Sequence, residues 1–477
     1  MKKIKYSIAA LSLFLAIGCT SEEDGFNNNK DRSYDVPAET LLTNAQKELT
    51  DQLITPEYNL NPFRYFVQYW AATQYPQESR YNITQRTVAD NLWNNLYRDV
   101  LGNLETAKLV IQRDEASTEQ KNKLAIIEIL EVYTFQTLVD TFGDIPYSEA
   151  LQPSIVLPKY DNDTDIYPAL IIRLDAAIAN LDTSADSFTS GDNIYNGDVA
   201  AWKLFASSLK VKLGITLSDV NPALAKATIE SAATDGLIVS NSDNATFTYD
   251  TASPTFSPIY EQLETIGRND NVASTTLVTT LQGLTDPRLS IYFLPRTDGT
   301  YVGGLNGAAN SVNPALFSQP GAALRVANTP GILMQASEIN FYLAEAASRG
   351  WAVNGTAESF YNAGITASFD YWGATMVATY LANPAVAYSA ADWKQKIGTQ
   401  AWIAAYSTPF TGWTSYRRLD VPTLPVASSA VAVADGKVPL RFTYPINEAT
   451  VNSNNLQAAI TAMGGNRLST PIFWDVN

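Results

Sequence analysis

A chain of 477 residues with 48 acidic side chains against 32 basic ones carries a formal charge of −16, a surface that repels nucleic-acid phosphates and anionic lipid. The absence of histidine removes every Ser-His-Asp triad, Cys-His pair, histidine-ligated zinc site and imidazole general base. A single cysteine excludes an internal disulfide, so stability rests on a packed core, for which 46% hydrophobic residues is an ordinary supply.

Lys2, Lys3 and Lys5 precede an apolar run from Tyr6 to Ile17 that is too short to cross a bilayer. Gly18 and Cys19 follow, in the order of a bacterial lipoprotein signal, although Ala16 stands where such signals usually carry Leu. Residues 1–18 are therefore expected to be a cleaved leader, and Cys19 the acylated first residue of the mature chain. The alternative is an ordinary secretory signal with an incidental cysteine. Removal of the leader takes the formal charge from −16 to −19. Residues 19–34 are acidic and Asn-rich and read as a flexible tether.

From residue 35 the pattern turns helical. Leu41, Leu42, Ala45, Leu49 and Leu53 predict a helix over 38–53, closed by Pro56. An aromatic-rich helix is expected over 63–73, and 74–81 reads as an exposed loop. A long helix over 87–112 pairs with one over 117–142, stopped by Gly143 and Pro146. Helices over 166–181, 199–216 and 221–235 follow, the last with Pro222 in its first turn. Thr, Ser, Asn, Gly and Pro dominate 237–329, where 245–249 and 289–293 are β-prone. Helical spacing returns over 334–348, 357–368 and 391–405, and 407–477 reads as a coil-rich tail wrapping the scaffold. The expected fold is mainly α: a tetratricopeptide-like helical-repeat scaffold (35–236 and 330–406) with a long irregular insert (237–329) containing short strands.

Several stretches carry a likeness. They include Phe142-Gly143-Asp144-Ile145-Pro146-Tyr147, Asp286-Pro287-Arg288-Leu289, Ala344-Glu345-Ala346-Ala347, Tyr416-Arg417-Arg418 and Phe473-Trp474-Asp475. In this order, behind a lipoprotein signal, the chain resembles the SusD/RagB family of outer-membrane nutrient-binding lipoproteins, in its SusD-like second branch. The acids that follow Cys19 resemble the surface-export signal of Bacteroidetes lipoproteins. The resemblance implies a lipid-anchored protein on the outer face of the outer membrane. It would capture oligosaccharide, deliver it to a SusC-like TonB-dependent barrel and perform no chemistry. A peptide or another nutrient is the alternative ligand. From other classes come a carboxylate-pair glycoside hydrolase, for which 48 acids leave room, and a purely structural adaptor. Most of the shared stretches read as scaffold, with Arg417 and Arg418 expected to hold carboxylates such as Glu448.

The resemblance further implies ligand contacts from 70–81 and from roughly 249–317. A sugar ring needs a flat aromatic for its C–H face and amide, guanidinium or carboxylate groups for its hydroxyl rim. The candidates are Trp70, Tyr75, Arg80 and Tyr81 on the first segment and Tyr292, Tyr301 and Asn306 on the second, with packing as the alternative for each. Trp93 and Tyr97, four apart on a helix, read as core. Asp161-Asn162-Asp163-Thr164-Asp165 imitates the start of a calcium loop. Ile166 and Ile172 occupy the positions that need Gly and Glu, so it reads as a helix cap. No metal or cofactor is called for.

Overall fold

The computed structural model describes residues 36–476. The leader, Cys19 and the tether lie outside the described residues.

The first helix, α1 (Ala38–Ile54), buries Leu42, Ala45, Leu49 and Leu53, the stripe that its spacing predicts. A π-helical turn over Asn95–Leu101 joins α2 (Val88–Asn94) to α3 (Gly102–Ile111), and α1 packs on that turn and on α3. Next come α4 (Thr118–Phe142) and α5 (Asp163–Asn180), packed together, then α6 (Val199–Thr216) and α7 (Pro222–Ala232). Polar caps set the starts: Ser117 accepts from Gln120 N at 3.0 Å and Asn221 from Leu224 N at 3.2 Å. Gly143 ends α4 at φ +82°, a backbone conformation that favours glycine, and packs against the end of the Met463 side chain. Paired helices of this kind are the tetratricopeptide-type unit. Among the described residues no helix is long and apolar enough to cross a membrane.

Four expectations need correction. The helix expected over 63–73 shrinks to the turn Phe63–Phe66, and Trp70–Ala72 becomes strand β1. All of Phe63, Phe66, Tyr69 and Trp70 are buried, so no solvent face supports a helix, and Gln68 at φ +55° breaks it. The insert is not irregular throughout. It contains strand β2 (Ala245–Phe247) and α8 (Thr275–Leu284), whose cap Ser274 accepts from Thr276 N. The β-prone run 289–293 is mostly a helical turn, Leu289–Tyr292, because the Asp286 carboxylate accepts from Arg288 N at 2.9 Å and curls the chain. In the scaffold α9 (Ala336–Ser348), α10 (Ala357–Trp372) and α11 (Trp393–Ala404) stand close to expectation, and the tail is rich in coil, as expected, but not without helix. It holds α12 (Pro409–Leu419) and α13 (Ser453–Ala462).

The tail does wrap the scaffold. Phe442 N donates to Thr141 O at 2.8 Å and Trp474 Nε1 to Asp140 at 2.9 Å. Arg417 does not hold Glu448. Its guanidinium lies 3.5 Å from the Trp413 ring centroid and 4.7 Å from that of Trp474, and donates to the carbonyls of Asp140 and Leu440, both at 2.7 Å. Glu448 instead accepts from the Tyr160 hydroxyl at 2.6 Å, and Arg418 pairs with buried Glu345 at 2.7 Å. Glu338 meets Lys212 at 3.1 Å.

Asp163, at the start of α5, is buried beside Asp144, whose carboxylate accepts from Asp163 N at 2.9 Å. Burial, and then the charge of Asp144, raise the Asp163 carboxyl from 3.8 to about 7. Between about pH 4 and about pH 7 the folded chain keeps a proton that the unfolded chain has released. Stability from this group is therefore full below about pH 4 and falls as pH rises, by at most about 1.4 kcal/mol per pH unit. Asp163→Asn should flatten that slope. Urea midpoints at pH 5 and pH 8 are expected to diverge less in the variant than in the parent; equal divergence would reject the assignment.

Candidate functional site

Two segments two hundred residues apart meet through one short antiparallel ladder. β1 pairs with β3 (Asn271–Ala273) in the register Trp70–Ala273, Ala71–Val272 and Ala72–Asn271. Thr73 N continues the pairing to Asp270 O at 2.9 Å. The turn after β1 and the turn before β3 therefore emerge at the same edge. With residues 57–59 and Arg86 they line a cleft of about 450 Å³. Gly267, at φ +74° with open space around it, makes the second turn possible.

Tyr58 forms the floor. The Arg268 guanidinium carbon lies 3.8 Å from its ring centroid, and the Tyr58 hydroxyl donates to Asp270. Arg268 donates to the same carboxylate through Nε at 3.2 Å and Nη2 at 3.0 Å. Burial, and then the Asp270 charge, push the Tyr58 phenol well above its ordinary range, so it stays a donor. Tyr75 stands above the floor, 54% exposed, its ring centroid 6.2 Å from that of Tyr58 and tilted by 47°. Its φ of +50° is costly for a tyrosine, and the last ladder bond, Thr73 N to Asp270 O, lies two residues before it. Arg86 closes the far side, 5.6 Å from the Tyr58 centroid and 5.7 Å from that of Tyr75. It donates to Glu78 at 2.5 Å and to Gln77 Oε1 at 3.2 Å. Asn59, Gln74 and Asn269 add amide groups. Flat faces ringed by donors and acceptors suit a pyranose, whose two sides make those two demands.

Of the seven residues proposed from sequence, the structure brings one, Tyr75, to this cleft. Trp70, Tyr81, Tyr292 and Asn306 are core, a correction with a common reason: each is buried and a donor or acceptor on its side chain is engaged inside the protein. Trp70 Nε1 donates to the Tyr406 hydroxyl at 2.9 Å, and the Tyr81 hydroxyl accepts from Ala427 N at 3.0 Å. Tyr292 stacks on Tyr406 at 4.1 Å and donates to Ile403 O. Asn306 Nδ2 donates to the carbonyls of Tyr65 and Trp70. Arg80 is half-buried, spanning from the first loop to Gly307 O at 2.7 Å, and Tyr301 is half-buried away from the cleft. Tyr58, Arg86, Arg268 and the amides were missed. Arg268 sits in the polar turn Gly267-Arg268-Asn269-Asp270, a visible signal, but nothing local announces that this turn abuts Tyr75.

Trp93 is core, edge-on to Phe142 at 5.0 Å, and the half-buried Tyr97 donates to Pro146 O at 2.6 Å. Asp161 accepts from Ser148 N and its hydroxyl, a turn contact rather than a metal ligand. Among the described residues no group of three or more acidic or thiol side chains could hold a metal ion.

Helix pairs carrying a surface cleft lined by scaffold residues 57–59, 74, 75 and 86 and by the insert turn 266–270 define a helical-repeat protein. The sequence matches, over residues 29–445, the second SusD-like family, described as starch-binding associating with outer membrane. The chain belongs to that family. Three solved structures are similar across their whole lengths. A chitin-binding protein is 29% identical, with a TM-score of 0.80, 92% of this chain and 100% of that one covered. A SusD homolog from Bacteroides uniformis is 28% identical, with a TM-score of 0.80 and coverage of 92% and 99%. A chitin-binding SusD homolog from Flavobacterium johnsoniae is 26% identical, with a TM-score of 0.79 and coverage of 91% and 99%. No curated protein sequence matches.

Proposed function

We propose that this protein is a cell-surface carbohydrate-binding lipoprotein that takes an oligosaccharide into the Tyr58–Tyr75 cleft and performs no reaction on it. The observation that carries the reading is the Arg268–Tyr58 stack beside the exposed Tyr75 ring, on segments that the β1–β3 ladder brings to one edge. The carboxylates against the cleft arginines support binding over hydrolysis: Asp270 is engaged by Arg268 and Tyr58, and Glu78 by Arg86. A glycosidase pair needs carboxyls free to donate a proton and to attack. Family membership and the chitin-binding relatives favour a glycan over a peptide. Anchoring through Cys19 at the outer membrane, and delivery to a SusC-like TonB-dependent barrel, complete the proposal on the likeness to the family.

Calorimetric titration with chitohexaose and maltohexaose tests it. At least one should bind, and Tyr75→Ala should weaken that binding about tenfold, or about 1.4 kcal/mol, with the melting temperature unchanged because the ring is exposed. Release of new reducing ends, or binding indifferent to Tyr75, would overturn the reading.

A further inference from the structure

A cleft with two arginines in a chain of charge −16 invites the reading that it is a positive spot for an acidic glycan. Its charge partners argue the opposite. Arg268 is held at 3.0 Å by Asp270, whose side chain is 5% exposed, and Arg86 at 2.5 Å by Glu78, whose side chain is fully buried. Glu57 also lines the cleft. Two guanidiniums thus face three carboxylates. Each arginine has a carboxylate at hydrogen-bond distance, and what Arg268 offers a ligand is a flat, stacked face and its remaining N–H groups. An incoming carboxylate or sulfate would have to compete with a buried partner already in place, and one inside the protein costs no association entropy. Hydroxyl and acetamido oxygens need only a hydrogen bond, which a paired guanidinium can still give.

Resting on the carbohydrate reading above, we infer that Glu78 and Asp270 are specificity-determining residues that neutralise Arg86 and Arg268 and thereby restrict the cleft to uncharged glycans. Neither carboxylate has to touch the ligand. Each acts by fixing the direction and the net charge of the arginine that does.

The test compares chitohexaose and maltohexaose with hexagalacturonate as the acidic probe, by calorimetry at about 0.05 M and about 0.5 M NaCl. The parent should bind a neutral probe equally at both salt concentrations and hexagalacturonate at neither. Asp270→Asn, which preserves shape and one acceptor while releasing the Arg268 charge, should gain binding of hexagalacturonate by about tenfold over the parent, lost again at high salt. Glu78→Gln should shift preference in the same direction through Arg86, giving a second, independent variant should the first not fold. Binding of hexagalacturonate by the parent in a Tyr75-dependent, salt-sensitive way overturns the inference and leaves the carbohydrate reading standing. Binding of no probe by the parent removes both. Asp270→Asn and Glu78→Gln proteins that fold yet still refuse the acidic probe overturn the inference alone.

Discussion

Asp286→Ala is expected to lower the unfolding free energy by about 3–5 kcal/mol, because it strips a partner from a fully buried arginine. Arg288 donates to Asp286 through Nε at 3.0 Å and Nη2 at 2.7 Å, and both side chains are inaccessible to solvent. Around this fork sit Ser368 at 2.9 Å, Gln400 at 2.9 Å and the Tyr380 hydroxyl, with the Phe369 ring centroid 4.6 Å away. These residues come from the insert, α10, the segment after it and α11, so one ion pair binds the insert to the scaffold. Arg288 cannot shed its proton to relieve burial, since guanidinium stays charged. Asp286→Asn should cost less, keeping one acceptor. Chemical denaturation followed by circular dichroism reads both. A loss under about 1 kcal/mol for the alanine variant would show that the pair is decorative.

Trp413→Ala should rank beside it, at about 3–5 kcal/mol, by opening a cavity where the tail meets the first helices. The indole stacks on Phe63 at 5.2 Å, meets Phe66 and Phe442 at 5.8 and 5.9 Å, lies under Arg417 and donates to Pro439 O at 2.7 Å. Its loss removes area and leaves that carbonyl unpaired. Because these contacts hold residues 439–442 against the scaffold, limited proteolysis should cut the tail before any scaffold helix. A tail as resistant as the parent's would contradict the packing account.

How far this could be read from the chain follows from what each feature depends on. The scaffold helices obey local rules. The Leu42–Leu53 stripe, the Ser117 and Asn221 caps and the Gly143 stop are written within a few residues of where they act. Asp286-Pro287-Arg288 reads as a structural stretch and supplies a buried structural ion pair. Nearly every side chain on helix α12 is buried, Arg417 and Arg418 included, so its polar residues face the protein interior rather than water. The site depended on longer range still. The two segments implied by the family likeness do meet, at Tyr75 and at 266–270. Most of the individual candidates lie in the core instead, because an aromatic such as Trp70 or Tyr292 looks the same in sequence whether it faces water or the core. What separates Trp70 from Tyr75 is the β1–β3 ladder, whose partners are two hundred residues apart. No local pattern encodes that pairing.

The most direct measurement is a crystal structure of the protein soaked with whichever hexasaccharide binds. A sugar ring should lie against the exposed face of Tyr75, with hydroxyl or acetamido oxygens within hydrogen-bond reach of Arg268 and Asn269, while Trp70, Tyr81 and Tyr292 keep their buried partners. Oligosaccharide bound on another face, with the Tyr58–Tyr75 cleft empty, would contradict the assignment of this cleft as the binding site.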